Sequence, residues 1–190
     1  VTNDLTSWYL QDGPDNFAST YIKVVGGTTW HWLGTCLRLV PNDFQLKALY
    51  GQGIDWPISY ADLESFYGAA ETAIGVSGDS TSDLGAPRTM PYPMPEIPQT
   101  YLDKAYVKAL AGTEYDVRPT PQGRNSTDRE TRPACCGNAS CIPVCPVQAK
   151  YDATVHLDQA TAAGAVLHAK STAVFVETGA DRRVTAVRFK

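Results

Sequence analysis

Residues 133–151 read PACCGNASCIPVCPVQAKY and hold four of the chain's five cysteines. No other stretch restricts the fold so tightly. Pro143 and Pro146 forbid one continuous helix, because each lacks an amide hydrogen and fixes its own φ. The segment must wrap, and Gly137, Asn138 and Ser140 permit tight turns. Cys135 and Cys136 are adjacent, so their Cα atoms stand ~3.8 Å apart, whereas disulfides prefer ~4.4–6.8 Å. Pairing them with Cys141 and Cys145 would close very short loops and remove little chain entropy. Zinc sites ordinarily present two spaced pairs of ligands. Here no second pair follows, and the nearest imidazole, His156, falls in an amphipathic helical stretch. Of the three readings, an iron–sulfur cluster fits the pattern best. Cys141-x3-Cys145-Pro146 echoes the closing Cys-x3-Cys-Pro of bacterial ferredoxin motifs. A wrapping loop also leaves backbone N–H groups free to face an anionic sulfur cluster. Neighbouring cysteines point apart, so Cys141, Cys145 and one of Cys135 or Cys136 make three thiolates. That number suggests 3Fe–4S rather than 4Fe–4S, with one thiol to spare.

The rest of the chain is compatible with an ordinary globular core: 43% of its residues are hydrophobic and 19% charged. A net charge of −4 argues against a nucleic-acid binder, which would carry a basic patch or stripe. Lysines and arginines are scattered, and no apolar stretch approaches the ~18 residues of a membrane span. The chain opens at Val1 and stops at Lys190 after a strand-like run, as expected of a slice of a longer protein.

Local signals predict a mixed α and β arrangement without internal repeats. YIKVV (21–25) has the pattern of a short strand. In residues 55–78, Ser59 is a good N-cap, Asp62 approximates a capping box, and Gly75 is a stop. Leu63, Phe66, Tyr67, Ala70 and Ile74 recur between them at helical spacing. Residues 77–100 are rich in Ser, Gly and Pro, and are read either as a surface linker or as an extended arm packed over a site. A second helix spans 99–112, with Leu102, Ala105, Tyr106 and Ala109 on one face, and 113–122 reads as a short strand and turn. A third helix is expected over 147–165, then strands within 166–178 and 182–190 joined by a turn at 179–182. Cys36 and His168 read as structural, and Trp8 and Trp56 as packing residues.

Gly26-Gly27 follows the first apolar run and permits close backbone approach to a ligand. Thr28, Thr29, Trp30, His31 and Trp32 come next, and two indoles with an imidazole can wall a planar cofactor. The stretch resembles the flavin-contacting signature of the glucose–methanol–choline (GMC) oxidoreductases, Gly-Gly-Ser-Ser-x-x-Asn followed six residues later by Arg. Here Trp32 stands in the Asn position and Arg38 in the arginine position. That departure is similar to one subgroup: bacterial membrane-associated FAD-dependent dehydrogenases of sugars, polyols and sugar acids, such as gluconate 2-dehydrogenase, sorbitol dehydrogenase and FAD-dependent glucose dehydrogenase. Residues 55–78 and the block GRNSTDRETRPACCGNASCIPVCPVQAKY (123–151) look like the same subgroup.

The resemblance implies an α+β fragment of a GMC-type FAD-binding plus substrate domain. Residues 1–76 would carry the flavin-wall turn and following helix, 77–100 the proline-rich arm, and 101–132 the start of the substrate region. Residues 133–151 would form the cluster loop, and 152–190 would return to the FAD-binding domain. Gly26, Gly27, Thr28, Thr29, Trp30, His31 and Trp32 would line FAD, with Ala173 touching the adenine through its backbone. Cys135, Cys141 and Cys145 would bind a 3Fe–4S cluster, and Cys136 would be the spare thiol, disulfide-bonded to a small companion subunit. The dinucleotide fingerprint G-x-G-x-x-G is absent, and the family's catalytic base would lie beyond Lys190, so no catalytic residue is expected here. The implied parent oxidises a sugar or polyol and passes electrons from FAD through the cluster to a multihaem cytochrome c subunit and quinone. It would be periplasmic and peripheral to the inner membrane, reaching the membrane only through a partner. Two other readings remain: a stand-alone iron–sulfur or metal-binding electron carrier, and a cysteine-stabilised structural or carbohydrate-binding domain.

Overall fold

The computed structural model describes Pro14 and residues 22–190. Trp8 and Tyr21 lie outside the described residues. The described chain combines helices with one small sheet: α1 (Leu46–Tyr50), α2 (Tyr60–Ile74), α3 (Tyr101–Leu110), α4 (Thr154–Ala162), β1 (Ala173–Thr178) and β2 (Val184–Phe189). It divides into two units, Thr28–Asp152 on one side and Val1–Gly27 with Ala153–Lys190 on the other.

In the first unit α2 begins and ends where its local chemistry dictates. The Ser59 side chain accepts from the Asp62 N–H, and the Asp62 carboxylate accepts from the Ser59 N–H, so Asp62 completes the capping box. Gly75 closes the helix at φ +80°, a left-handed position that glycine alone adopts without penalty. A Cβ there would also stand 2.9 Å from the Arg132 guanidinium. Gly75→Ala is therefore expected to cost at least roughly 1–2 kcal/mol, the usual penalty for an L-residue in that region. Urea unfolding of the full-length protein measures it, and an unchanged midpoint would contradict this cap.

Which face of α2 is buried differs from the expected stripe. Leu63, Phe66, Tyr67 and Ala70 line an open apolar groove, and Phe66 is 68% exposed. The buried positions are Tyr60, Gly68 and Glu71. They meet the proline-rich arm, which is packed rather than loose. Gly68 lies so close to Met90 that a Cβ would stand 2.8 Å from its sulfur, and the Tyr60 hydroxyl donates to the Pro87 carbonyl. Glu71 accepts from Arg38 Nε at 2.8 Å and Arg38 Nη2 at 2.9 Å, and from Arg88 at 2.6 Å. Phe44, almost fully buried, contacts Trp56 and Tyr60 edge-on. α3 carries its own capping box at Thr100 and Asp103, yet buries no residue, so its apolar face also differs from expectation.

The centre of this unit is a polar ladder rather than a run of apolar side chains. Residues 121–125, PQGRN, alternate between buried and half-buried. Cys36 donates its N–H to Pro121, Gly123 to Gly34, Tyr151 to Gly123, Asn125 to Ala149, and Cys135 to Asn125. Ser77 and Gln122 exchange both backbone bonds. Buried peptide groups demand partners, and this strip supplies them to four separate segments. The strand expected within 113–122 reduces to isolated bridges at Gln122. The same ladder explains why the third helix begins at Thr154 and not at 147: Ala149 and Tyr151 are held extended against Gly123 and Asn125.

In the second unit β1 and β2 pair antiparallel, with Ala173 opposite Phe189, Val176 opposite Val187 and Thr178 opposite Val184. The turn at 179–182 forms as expected, with the Gly179 N–H donating to Arg183. Residues 22–25 of the expected first strand are not assigned as strand and run into a turn instead. The Val25–Gly26–Gly27 sequence reverses the chain there, which ends any extended run. His168 precedes β1 rather than lying in it.

Candidate functional site

The glycine–tryptophan turn is a short 3₁₀ element, Gly27–Trp30, entered through two left-handed glycines, Gly26 just before it at φ 89° and Gly27 at its start at φ 56°. Nothing lies within 4 Å of a Cβ built on Gly27, so the backbone shape, not space, requires glycine there. Val24 accepts the Gly27 N–H and Thr28 the His31 N–H, which tightens the turn. Trp32 leaves it pointing inward. Its indole donates to the Tyr151 carbonyl at 2.7 Å, meets the Tyr151 ring edge-on, and lies where a Cβ on Gly123 would stand 2.9 Å from Cη2. His31 Nε2 is buried and has no hydrogen-bond partner among the described residues. An orphaned acceptor or donor beside such a turn fits a polar ligand edge.

Thr28 to Trp32 belong to the first unit. Gly26, Gly27 and Ala173 belong to the second. Ala173 opens β1 and is exposed. Just before it, residues 167–172 and Lys23, Val24 and Val25 enclose an open cleft of about 410 Å³.

All five cysteines are free thiols. Cys135, Cys141 and Cys145 are half-buried, whereas Cys136 is exposed. The loop turns on left-handed Gly137 and Ala139. The Gly137 N–H donates to Cys135 Sγ at 3.4 Å, and Arg124 Nη1 to Cys141 Sγ at 3.7 Å. Among the described residues, no three His, Cys, Asp or Glu side chains are placed to hold a single metal ion. The surroundings are nonetheless built for negative charge. Arg124 Nε and, in the loop, Ser140 Oγ are buried without partners among the described residues. Arg132 Nε and Nη1 are likewise buried and unpartnered among the described residues, but at the end of α2. Arg132, 3% exposed, spends Nη2 on the Ile74 carbonyl and faces the Tyr151 ring. Burial pushes its guanidinium below its ordinary pKa. Buried donors without partners are costly, and an anionic sulfur cluster beside Arg124 and Ser140 would satisfy theirs. The soft donor set and these orphaned groups fit such a cluster. Its thiolates stand further apart than those around one ion.

Lys150 joins the two motifs. It is 1% exposed, and its ammonium donates to the carbonyls of Trp30 at 2.8 Å, Trp32 at 2.6 Å and Cys141 at 2.9 Å. Burial pushes its pKa down, and the thiols of Cys141 and Cys145 work in the opposite direction. Sequence reasoning did not single out Lys150, and it met Arg124, Asn125 and Arg132 only as positions of the resembling block, without a role. A lone lysine or arginine reads as solvated unless the fold buries it, and only the position of Lys150 just past the last cysteine hinted otherwise. Cys36, read as a buried small hydrophobe, is half-buried, and burial raises its thiol to about 11, which keeps it protonated and inert. Arg38, in the arginine position of the resemblance, is committed to Glu71 on α2.

No protein-family model matches the chain. It is 38% identical over 187 residues to the fructose dehydrogenase large subunit of Gluconobacter japonicus, covering 96% of this chain and 34% of that protein. It is 31% identical over 121 residues to a 2-methyl-1,2-propanediol dehydrogenase of Mycolicibacterium austroafricanum, covering 62% of this chain and 22% of that protein. It is 27% identical over 126 residues to the gluconate 2-dehydrogenase flavoprotein of Pantoea cypripedii, covering 53% of this chain and 20% of that protein. The chain thus matches between 20% and 34% of the length of these relatives.

Proposed function

The chain is a homologue of bacterial sugar, sugar-acid and polyol dehydrogenase subunits, and from that premise we propose that it is the cluster-bearing slice of a GMC-type flavoprotein dehydrogenase. FAD, when bound, accepts hydride from an alcohol carbon, and a 3Fe–4S cluster passes single electrons onward. The turn from Gly26 to Trp32 contributes to the flavin wall, with His31 Nε2 free to bond the cofactor edge. Ala173 presents backbone to the adenine end. Cys135, Cys141 and Cys145 would hold the cluster, and Arg124 and the Gly137 N–H, which already donate to cysteine sulfurs, would stabilise its negative charge. Exposed Cys136 forms a disulfide with a small companion subunit. The proton acceptor for the substrate hydroxyl lies outside this chain. Electrons leave to a multihaem cytochrome c subunit, at the periplasmic face of the inner membrane.

The observation that carries this reading is the loop itself: three half-buried free thiols, one of them receiving Arg124, beside the buried unpartnered donors Arg124 Nε and Ser140 Oγ. Metal and flavin analysis of the full-length protein, purified without oxygen, tests it. Iron, acid-labile sulfide and one flavin per chain are expected together. Protein without iron or sulfide removes the relay, and protein without flavin removes the dehydrogenase assignment.

A further inference from the structure

We propose that Lys150 is a positioning residue for electron transfer, a buried fixed charge that both ties the tryptophan turn to the cysteine loop and raises the reduction potential of the centre held there. This rests on the relay reading above. Three carbonyl oxygens surround Nζ within 2.6–2.9 Å. An ammonium has three N–H bonds to offer and a neutral amine only two, so the protonated form alone satisfies all three acceptors. The side chain is therefore a cation that hydrogen-bonds no carboxylate among the described residues, with Asp152 acting on it only through space, and the Lys150 backbone is itself bridged to Arg124. Arg124 in turn donates to the sulfur of Cys141, whose carbonyl Lys150 holds. Two cations thus converge on one cysteine.

A buried positive charge favours whichever oxidation state carries more negative charge, because water screens it poorly there. One-electron reduction makes a cluster more negative by one unit, with the electron supplied by the reduced flavin of the proposed parent. Lys150 accordingly favours the reduced form. Its second effect is geometric. One ammonium binds the backbone of Trp30 and Trp32 in the turn and of Cys141 in the loop, so it helps fix the spacing of the two motifs.

The test is a redox titration of full-length enzyme, followed by electron paramagnetic resonance of the oxidised cluster, for wild type, Lys150→Met, Lys150→Gln and Lys150→Arg. Loss of the charge is expected to shift the one-electron equilibrium at least tenfold toward the oxidised form, a fall of about 59 mV, and Lys150→Arg is expected to remain within about threefold of wild type. Lys150→Gln keeps two donors, so it provides the reading if Lys150→Met does not load iron. An unshifted potential in an iron-loaded Lys150→Met or Lys150→Gln overturns this proposal and leaves the relay intact. Iron in Lys150→Arg alone supports the charge requirement. Iron in none of the three variants makes the lysine a packing residue and overturns the proposal. Wild-type protein without iron or acid-labile sulfide overturns the relay and this proposal with it.

Discussion

Cys141→Ser in the full-length enzyme is expected to remove nearly all cluster iron, and Cys135→Ser and Cys145→Ser to do the same, while Cys136→Ser leaves iron at the wild-type level. A serine oxygen is a hard donor and a poor substitute for thiolate on iron and sulfide. Changes in groups that merely support a ligand typically cost about 10–100-fold in metal affinity, and losing the ligand itself costs more. The asymmetry between Cys135 and its neighbour follows from placement. Cys135 is half-buried, receives the Gly137 N–H and is pinned through its own N–H to Asn125, whereas Cys136 faces solvent. Iron analysis of the four variants decides the ligand set. Equal loss in all four would dissolve the distinction between the two adjacent thiols. Cys136→Ser should instead abolish a covalent link to a smaller subunit on a non-reducing gel.

Glu71→Ala is expected to destabilise the unit Thr28–Asp152 by about 3–5 kcal/mol, the usual consequence of stripping one partner from a buried ion pair. Glu71 is 5% exposed and neutralises two arginines at once, Arg38 and Arg88. Arg38 is itself only 9% exposed, and its fork matches the carboxylate with two parallel bonds. Without Glu71, Arg38 keeps Glu64 at 3.2 Å and the Tyr60 hydroxyl at 3.0 Å, which cannot replace a bidentate partner. The proline-rich arm should loosen with it, because Arg88 anchors that arm to α2 and stacks over Tyr92 at 3.5 Å. Urea unfolding gives the loss, and limited proteolysis at residues 77–100 reports the arm. A change below about 1 kcal/mol would mean that the network is solvated, as exposed pairs are.

Legibility in the sequence followed the range of the interaction. The ends of α2 could be read because a cap is a contact between residues three apart, Ser59 with Asp62, and a left-handed stop is a property of Gly75 alone. The turn at 179–182 and the strands beside it are equally local. The cysteine loop announced a wrapped, non-helical path through residue type and proline placement, and its cysteines are free thiols. The faces of α2 and α3 misled, because an apolar stripe says that something should cover it but not what. Among the described residues, Leu63 and Phe66 on α2, and Leu102 and Tyr106 on α3, remain open. The expected start of the third helix failed for the opposite reason. Residues 147–153 have helical composition, yet pairing with Gly123 and Asn125 overrides it.

What the sequence alone determined is local: a cysteine-rich loop that cannot be one helix, and a double-glycine turn followed by rings. These depend on residue identity and on contacts a few positions apart. Only the tertiary structure decided that Lys150, 118 residues from Trp32, holds that turn and the cysteine loop together, and that PQGRN is the buried spine between them. A polar residue has two stable fates, solvation or burial with every partner supplied, and the partners that choose between them lie too far along the chain for local pattern to show.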